Sequence, residues 1–117
     1  MTAVPESIGL QYSVTVAVEL IPGREGHAVA VPAGSSTPAV KLAGAPGEVM
    51  TVYARGADIS FQIGKSNVQA TRASNVVPMG ELLTYTLGGA LAACTHISFY
   101  GVDAPGEAIV NFYRRGS

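Results

Sequence analysis

The residues with the most suggestive chemistry are Cys94 and His96, which are two positions apart. On a β-strand such a pair shares a face and could supply two ligands to a metal ion. A zinc site needs three or four ligands, however, and the only other histidine, His27, lies in a distant segment rich in Pro and Gly. A Cys/His nucleophile needs its two groups placed across a cleft rather than stacked on one strand. We therefore predict a buried cysteine with no metal-binding and no catalytic role.

The carboxylates that fall in predicted strands or turns also select no reaction. They are Asp58, Glu81, Asp103 and Glu107, and each occupies a strand end or an outward position, where solvated polar residues normally lie. Paired acid–base catalysis needs two groups at one site, and nothing in their spacing picks out a pair. No Gly-rich phosphate loop precedes a helix, because no helix is predicted. The sequence therefore predicts no catalytic, cofactor-binding or metal-binding residue, and a protein that is not an enzyme.

Charge is scarce in this chain of 117 residues, at 13% of residues against about 25% in an average soluble domain. Two explanations stay open: other chains cover much of the surface, or the surface is polar through Ser, Thr, Asn and Gln. The net charge is −1 and neither sign is clustered, which argues against a nucleic-acid or anionic-membrane partner.

Three absences constrain the expected location. No apolar run approaches the roughly 20 residues of a membrane span. Residues 1–5 lack the basic and apolar regions of a signal peptide. The single cysteine, Cys94, excludes an internal disulfide. We therefore expect synthesis in a reducing cytoplasm.

Alternation of apolar and polar residues predicts strands along most of the chain. Residues 10–20 form the longest run, which predicts a strand with a single buried face, preceded by a flexible arm at residues 1–7. Residues 21–47 are too rich in Pro and Gly for long elements and hold at most two short strands, at 27–31 and 39–42. This excursion either packs on a neighbouring subunit or forms an ordinary hairpin with ragged loops. The apolar face of the first run consists of Leu10, Tyr12, Val14, Val16, Val18 and Leu20.

Residues 48–65 give the clearest structural prediction, a strand, a tight turn and a second strand. The first arm, 49–54, is apolar on both faces, as in a central strand. Gly56 can adopt a positive φ and so close a hairpin between the arms. On the second arm, which is predicted to bury one face, the apolar side is Ala57, Ile59, Phe61 and Ile63 and the polar side is Asp58, Ser60 and Gln62.

The C-terminal half continues in the same way. Strands are predicted at 75–77 and 81–87, with a single helical turn at 90–93. A closing hairpin joins strands 95–102 and 107–114 through Asp103-Ala104-Pro105-Gly106, in which Pro then Gly favour a type II turn. The predicted inward residues of this half are Leu83, Tyr85, Leu87, Ile97, Phe99, Val110 and Phe112.

Short strands separated by Gly and Pro, without a long helical period, are typical of an all-β fold. We predict a single-domain antiparallel β-sandwich or jelly-roll-like barrel at residues 8–117, with an extended N-terminal arm.

The order of turns and strands over residues 49–114 follows a pattern. A strand leads into Arg55-Gly56-Ala57-Asp58, an apolar strand follows at 59–64, and a stretch rich in Ser, Thr, Ala and Asn covers 70–75. Val77-Pro78-Met79-Gly80-Glu81 then turns into a strand at 82–87, before a last pair of strands at 97–112. This arrangement resembles a group of small structural proteins of tailed bacteriophages. The insert at 88–94 and the N-terminal half depart from their pattern. The resemblance implies a virion component without enzymatic activity and carries over no catalytic residue.

From this resemblance and the low charge we expect a capsid decoration (cement) protein that binds and stabilises the phage head. Its partners would be the major capsid protein or another virion protein, and further copies of itself in a closed oligomer, with a trimer favoured. It would reside in the virion after synthesis in the host cytoplasm. The alternatives are a head–tail joining or tail-associated virion protein, and a small β-sandwich module that binds a ligand or glycan, against which the lack of Trp weighs.

Overall fold

The structure, a computed structural model, describes residues 18–89 and 94–115. Every strand pairing in it is antiparallel, and these ranges contain no α-helix. The predicted all-β fold is therefore confirmed. The strands are β1 (Val18–Leu20), β2 (His27–Val31), β3 (Val40–Lys41), β4 (Val49–Arg55), β5 (Ile59–Gly64), β6 (Asn75–Val77), β7 (Leu82–Thr86), β8 (His96–Gly101) and β9 (Gly106–Arg115).

Two sheets pack face to face around one core. The first has the order β2-β9-β4-β7, with β1 beside β2 along the same side of β9, and the second has the order β3-β8-β5-β6. From β2 onward, consecutive strands lie in opposite sheets, except β5 and β6, which lie in the same sheet. This is the topology of a jelly roll, in which eight strands form two Greek keys. The jelly-roll architecture was one of the two that the sequence left open.

Both predicted hairpins are wrong. The chain does reverse at Gly56, which has the expected positive φ of 85°, but β4 and β5 lie in different sheets. The same holds for β8 and β9. Each connection is an arch, a reversal whose two strands face each other across the core. Both arms of each reversal carry a buried apolar face, and the arch packs these two faces against each other across the core. The ladders form instead between arches, where β4 pairs with β9 and β5 pairs with β8.

The two arches pack side by side, and Gly106 is the residue that permits this contact. A Cβ on Gly106 would lie 2.6 Å from the carbonyl oxygen of Arg55 and 3.2 Å from the Cβ of Ala57. Gly106 does not have a positive φ, so the predicted type II turn is wrong. Glycine is needed there because the neighbouring backbone leaves no room for a side chain.

The core lies between the sheets and contains the predicted inward residues. Ile97, Phe99 and Val110 are completely buried, Phe112 is nearly so, and Leu87 is also buried. Leu83 and Tyr85 are partly buried and pack against this core from β7. The inward faces predicted for the C-terminal half are therefore confirmed, even though the pairing of its last two strands is not.

The Pro- and Gly-rich excursion at 21–47 is held by its own domain. It contains the two predicted short strands, but β2 pairs with β9 in one sheet and β3 pairs with β8 in the other. It is therefore not a hairpin, and the sheets of the same chain supply its pairing partners.

The N-terminal predictions are tested only at their end. The arm at 1–7 and most of the first predicted strand lie outside the described residues, as does the helical turn at 90–93. In β1, Val18 is 43% exposed and Leu20 is 78% exposed, so the prediction that these two side chains are buried is wrong. The strand pairs with the last three residues of β9, Tyr113 to Arg115.

Ser60 is also misplaced by simple alternation, because it is completely buried on the outer side of β5. Loop residues cover this side of the second sheet, and Ser60 donates its hydroxyl hydrogen to the carbonyl oxygen of Thr71 at 2.6 Å. Next to it, buried Ser98 donates to the carbonyl oxygen of Thr37 at 2.9 Å and accepts from the backbone N–H of Ala70 at 3.1 Å. These hydroxyl groups attach two loops to the sheet.

Candidate interaction surface

The residues with the most suggestive chemistry, Cys94, His96 and His27, each have their own surroundings in the structure. Cys94 is half-buried rather than fully buried, and His96 on β8 has its Nδ1 atom 2.7 Å from the hydroxyl of Thr95. His27 lies on β2, where its Nε2 accepts a hydrogen bond from the backbone N–H of Ala43 at 3.3 Å. Within residues 18–89 and 94–115, no three His, Cys, Asp or Glu side chains come together in a way that could hold a metal ion.

His27 has a structural environment instead. Its ring packs edge-on against Phe112, with the ring centres 5.8 Å apart. Burial lowers the pKa of His27 below its ordinary value of 6.5, because the charged ring would lose hydration there. Since Nε2 accepts from Ala43, the ring that fits this place is neutral with its hydrogen on Nδ1.

Three of the four predicted carboxylates, Asp58, Asp103 and Glu107, have separate partners. Asp58 accepts a hydrogen bond from the backbone N–H of Met79 at 2.8 Å, which ties the β6–β7 connection to the Gly56 arch. Asp103 pairs with Arg72 at 2.9 Å, and Glu107 lies 3.5 Å from Arg55. Both of these ion pairs are exposed, and pairs of this kind contribute little to stability.

The best-built ion pair was missed in the sequence. Glu48 accepts two hydrogen bonds from Arg24, at 2.6 and 2.9 Å, and a third from the backbone N–H of Ala45 at 3.0 Å. The bonds to Arg24 are the main reason that the pKa of Glu48 is lowered below its ordinary 4.5. Residues 24 and 48 are far apart in sequence, and no local pattern signals their contact. The pair joins the segment before β2 to the start of β4, which is a structural role.

A cavity of about 280 Å³ opens between the sheets at one end of the sandwich. Among the described residues, no Asp, Glu, Lys, Arg or His lines it. Its polar groups are few, and the amide of Asn75 donates to the carbonyl oxygen of Phe61 at 3.1 Å. Burial raises the pKa of Tyr85, which packs edge-on against Phe61. A space of this kind could hold a small apolar group. Its apolar lining comes from Met50, Phe61, Ile63, Tyr85, Leu87 and Cys94.

One side of the sandwich differs from the rest of the surface. Both sheets end there in edge strands, β6 in one and β7 in the other, joined directly by residues 78–81. We call residues 75–86 the β6–β7 side. Val76 is 44% exposed, Met79 58% and Leu82 59%, and the remaining large apolar residues with such exposure in the described ranges are those of β1. Large apolar side chains gathered at an open sheet edge are typical of an interaction surface.

Within the described fold, β7 pairs with β4 on one side, and its backbone is open on the other side. The N–H of Leu87 donates to the carbonyl oxygen of Glu48 at 2.8 Å, and the carbonyl oxygen of Glu81 accepts from the N–H of Ala54 at 3.4 Å. Odd-numbered residues therefore bond to β4, and the alternation of an antiparallel ladder turns the even-numbered ones outward. The residues whose N–H and C=O groups point away from the sheet are Leu82, Thr84 and Thr86.

Nothing in β7 protects this edge. Natural proteins usually block open edges with charged side chains, proline or very short strands. β3 is two residues long and ends in Lys41, β6 is three residues long and is followed by Pro78, and β2 is followed by Pro32. β7 has five residues with no proline and no Asp, Glu, Lys, Arg or His. The adjacent Leu82 and Leu83 were the available sequence signal, since two apolar neighbours on a strand must place one of them outside.

Comparisons with family models and with curated protein sequences find no match for this chain. No helix among the residues that the structure describes is long and apolar enough to cross a membrane.

Proposed function

We propose that this chain is a non-enzymatic structural protein of a tailed-bacteriophage virion, and specifically a capsid decoration protein that binds and stabilises the phage head. Its partners are the major capsid protein, or another virion protein, and further copies of itself.

The observation that carries this proposal is the β6–β7 side. Val76, Met79 and Leu82 stand exposed beside a strand whose outward backbone groups have no partner in the described fold. An apolar edge of this kind, with no charged residue in β7 itself, is stabilised when another polypeptide covers it. Two further observations support the proposal. Asp58, Asp103 and Glu107 have separate structural partners, and the described residues that line the cavity include no charged side chain.

The fold is compatible with this proposal without deciding it. Jelly rolls build viral capsid domains, but also lectin domains and cupins. Function therefore has to be argued from the surface and not from the topology. The resemblance of residues 49–114 to small phage structural proteins adds weight to the virion assignment.

Copy number and binding test the proposal directly. Quantitative mass spectrometry of purified virions is expected to find this chain at a copy number comparable to that of the major capsid protein. A few copies per particle would favour the head–tail or tail-associated alternative, and its absence from virions would overturn the virion assignment. Heads lacking the protein should bind the purified chain in co-sedimentation, and Leu82→Lys should weaken that binding. Gln62→Lys, which is exposed on β5 in the other sheet, is the matched control.

The cavity favours a second candidate function, a module that binds a small apolar ligand. Octanol is a suitable probe, because it is apolar, small and uncharged. If the cavity is a ligand site, octanol should shift the NMR signals of the methyl groups of Met50 and Leu87 at low millimolar concentration, and Leu87→Phe should abolish the shifts. Unchanged signals would exclude this candidate.

A further inference from the structure

We propose that two copies of this chain pair through their β7 strands, antiparallel and centred on Thr84, so that the five-stranded sheets of the two copies join into one. This inference does not rest on the virion assignment. It rests on the geometry of one edge strand and on what that strand lacks.

The first argument is that the outward N–H and C=O groups of β7 in one copy can pair with the same groups in a second copy. Leu82, Thr84 and Thr86 each turn one N–H and one C=O outward. A two-fold axis at Thr84 places this residue opposite its own copy and places Leu82 opposite Thr86. In an antiparallel ladder each such pair exchanges both of its N–H···O bonds. This register matches the three outward-facing residues of one copy with the same three of the other.

The second argument is the lack of repulsion. β7 contains no Asp, Glu, Lys, Arg or His, so two copies meet there without opposing like charges. The side chains that come together on the outer face are Thr84 with Thr84, a pair that can hydrogen-bond across strands, and Leu82 with Thr86. The same two-fold operation uses one surface patch on both copies, which is the commonest form of closed symmetry in soluble oligomers.

The third argument is the position of the apolar side chains. Leu82 is 59% exposed on β7 itself, and Val76 and Met79 lie in the strand and the connection that lead into it. β2, the other five-residue edge strand, has no such neighbours; its exposed side chains are those of Ala28 and Ala30. Among the described edges, β7 therefore combines open backbone, missing charge and apolar surface. A two-fold pair also gives an even-numbered assembly, in contrast to the trimer favoured by the sequence.

Self-association is tested first by placing a charge on the edge. Sedimentation equilibrium of the full chain over a range of concentrations should show a dimer or a higher even-numbered oligomer. Thr84→Lys sets two cations directly opposite each other at the two-fold axis and should weaken association about tenfold or more. Gln62→Lys adds the same charge at an exposed position of the other sheet and should leave association unchanged. Circular dichroism verifies that both variants are folded.

The register is tested by cysteine cross-linking in a Cys94→Ser background. Opposed residues of a hydrogen-bonded pair have Cα atoms about 5.5 Å apart, within disulfide range. Thr84→Cys should therefore form a covalent dimer under mild oxidation. Thr86→Cys should not, because the two copies of residue 86 would lie about 13 Å apart along the joined strands. A chain that stays monomeric, an oligomer that is indifferent to Thr84→Lys, or cross-linking at 86 that equals cross-linking at 84 would each overturn the proposal.

Discussion

Two regions of the sandwich differ in how tightly they are packed. The two arches that cross between the sheets are in close contact with each other, whereas the outer side of β7 has no neighbouring strand in the described fold. A Cβ on Gly106 would lie 2.6 Å from the carbonyl oxygen of Arg55, and the N–H of Val102 donates to the carbonyl oxygen of Asp58 at 3.0 Å, so the arches hold each other. On β7 the outward groups of Thr84 and its neighbours face no part of the described fold.

This contrast separates stability from assembly within one small domain. The arch end fixes the jelly roll, because it determines which strands pair. The β7 edge contributes little to the fold of one copy beyond its bonds to β4, and it remains open for a partner. Substitutions at the arch end should therefore act on unfolding, and substitutions at the edge should act on association.

The largest effect is expected at Gly106. Gly106→Ala inserts a Cβ against the backbone of Arg55 and the side chain of Ala57, and neither can move without disturbing the β4–β9 ladder. We expect a loss of about 2–3 kcal/mol in the free energy of unfolding, measured by urea denaturation. Gly88→Ala is the matched control, because its Cβ would meet no atom within 4 Å. Equal stability of the two variants would contradict the tight packing of the arches.

The next effect is expected at Ser98, which attaches loops to the outer side of the second sheet. Ser98→Ala leaves the N–H of Ala70 and the carbonyl oxygen of Thr37 without the hydroxyl that they share. Both groups are buried, so we expect a loss of about 1–3 kcal/mol in urea denaturation. Ser66→Ala, in an exposed turn, should change the stability little. A neutral Ser98→Ala would show that water replaces this hydroxyl.

A smaller effect is expected from the protonation of His27. Its pKa in the folded state is lowered by burial, so the unfolded chain binds the proton more tightly. Its contribution to stability is therefore complete above the ordinary pKa of 6.5 and is lost as the pH falls from there through the folded-state pKa. The free energy of unfolding measured between pH 8 and pH 5 should decrease in the wild type. The decrease should be smaller in His27→Gln, and equal slopes would contradict this role.

The smallest effect on stability is expected at Thr84. Its side chain is exposed, so Thr84→Lys should change the free energy of unfolding of the monomer by no more than about 0.5 kcal/mol. The measurement is urea denaturation at a concentration low enough to keep the chain monomeric. A large loss of monomer stability would contradict the separation of assembly from folding, because it would show that this edge stabilises the fold of a single copy.

The sequence predicts where strands occur much better than which strands pair. β2 and β6 begin and end where alternation and turn residues place them, and Ile97, Phe99 and Val110 are buried as expected. The turn signals at Gly56 and at Pro105-Gly106 show that the chain reverses, but a hairpin and an arch use the same residues. Whether a hairpin or an arch forms depends on how all the strands compete for pairing partners, and a short stretch of sequence does not reveal the outcome.

The open backbone at the candidate surface could not be predicted from the sequence, for a related reason. Whether a strand lies at an edge depends on the order of the sheet, so the open backbone of Thr84 could not be anticipated from its neighbours. Ser60 and Leu20 show the same limit in opposite directions. Ser60 is buried because a loop from elsewhere in the chain covers it, whereas Leu20 is exposed although its strand pairs with β9.

Amide hydrogen exchange along β7, followed residue by residue in NMR spectra at low and high protein concentration, tests the central claim most directly. At low concentration the amides of Leu83, Tyr85 and Leu87 should be protected by β4, while those of Leu82, Thr84 and Thr86 exchange rapidly. At high concentration the three outward-facing amides should become protected as well, because a partner strand now accepts their hydrogen bonds. Rapid exchange of these three amides at every concentration, together with unaltered protection of the inward-facing ones, would contradict it.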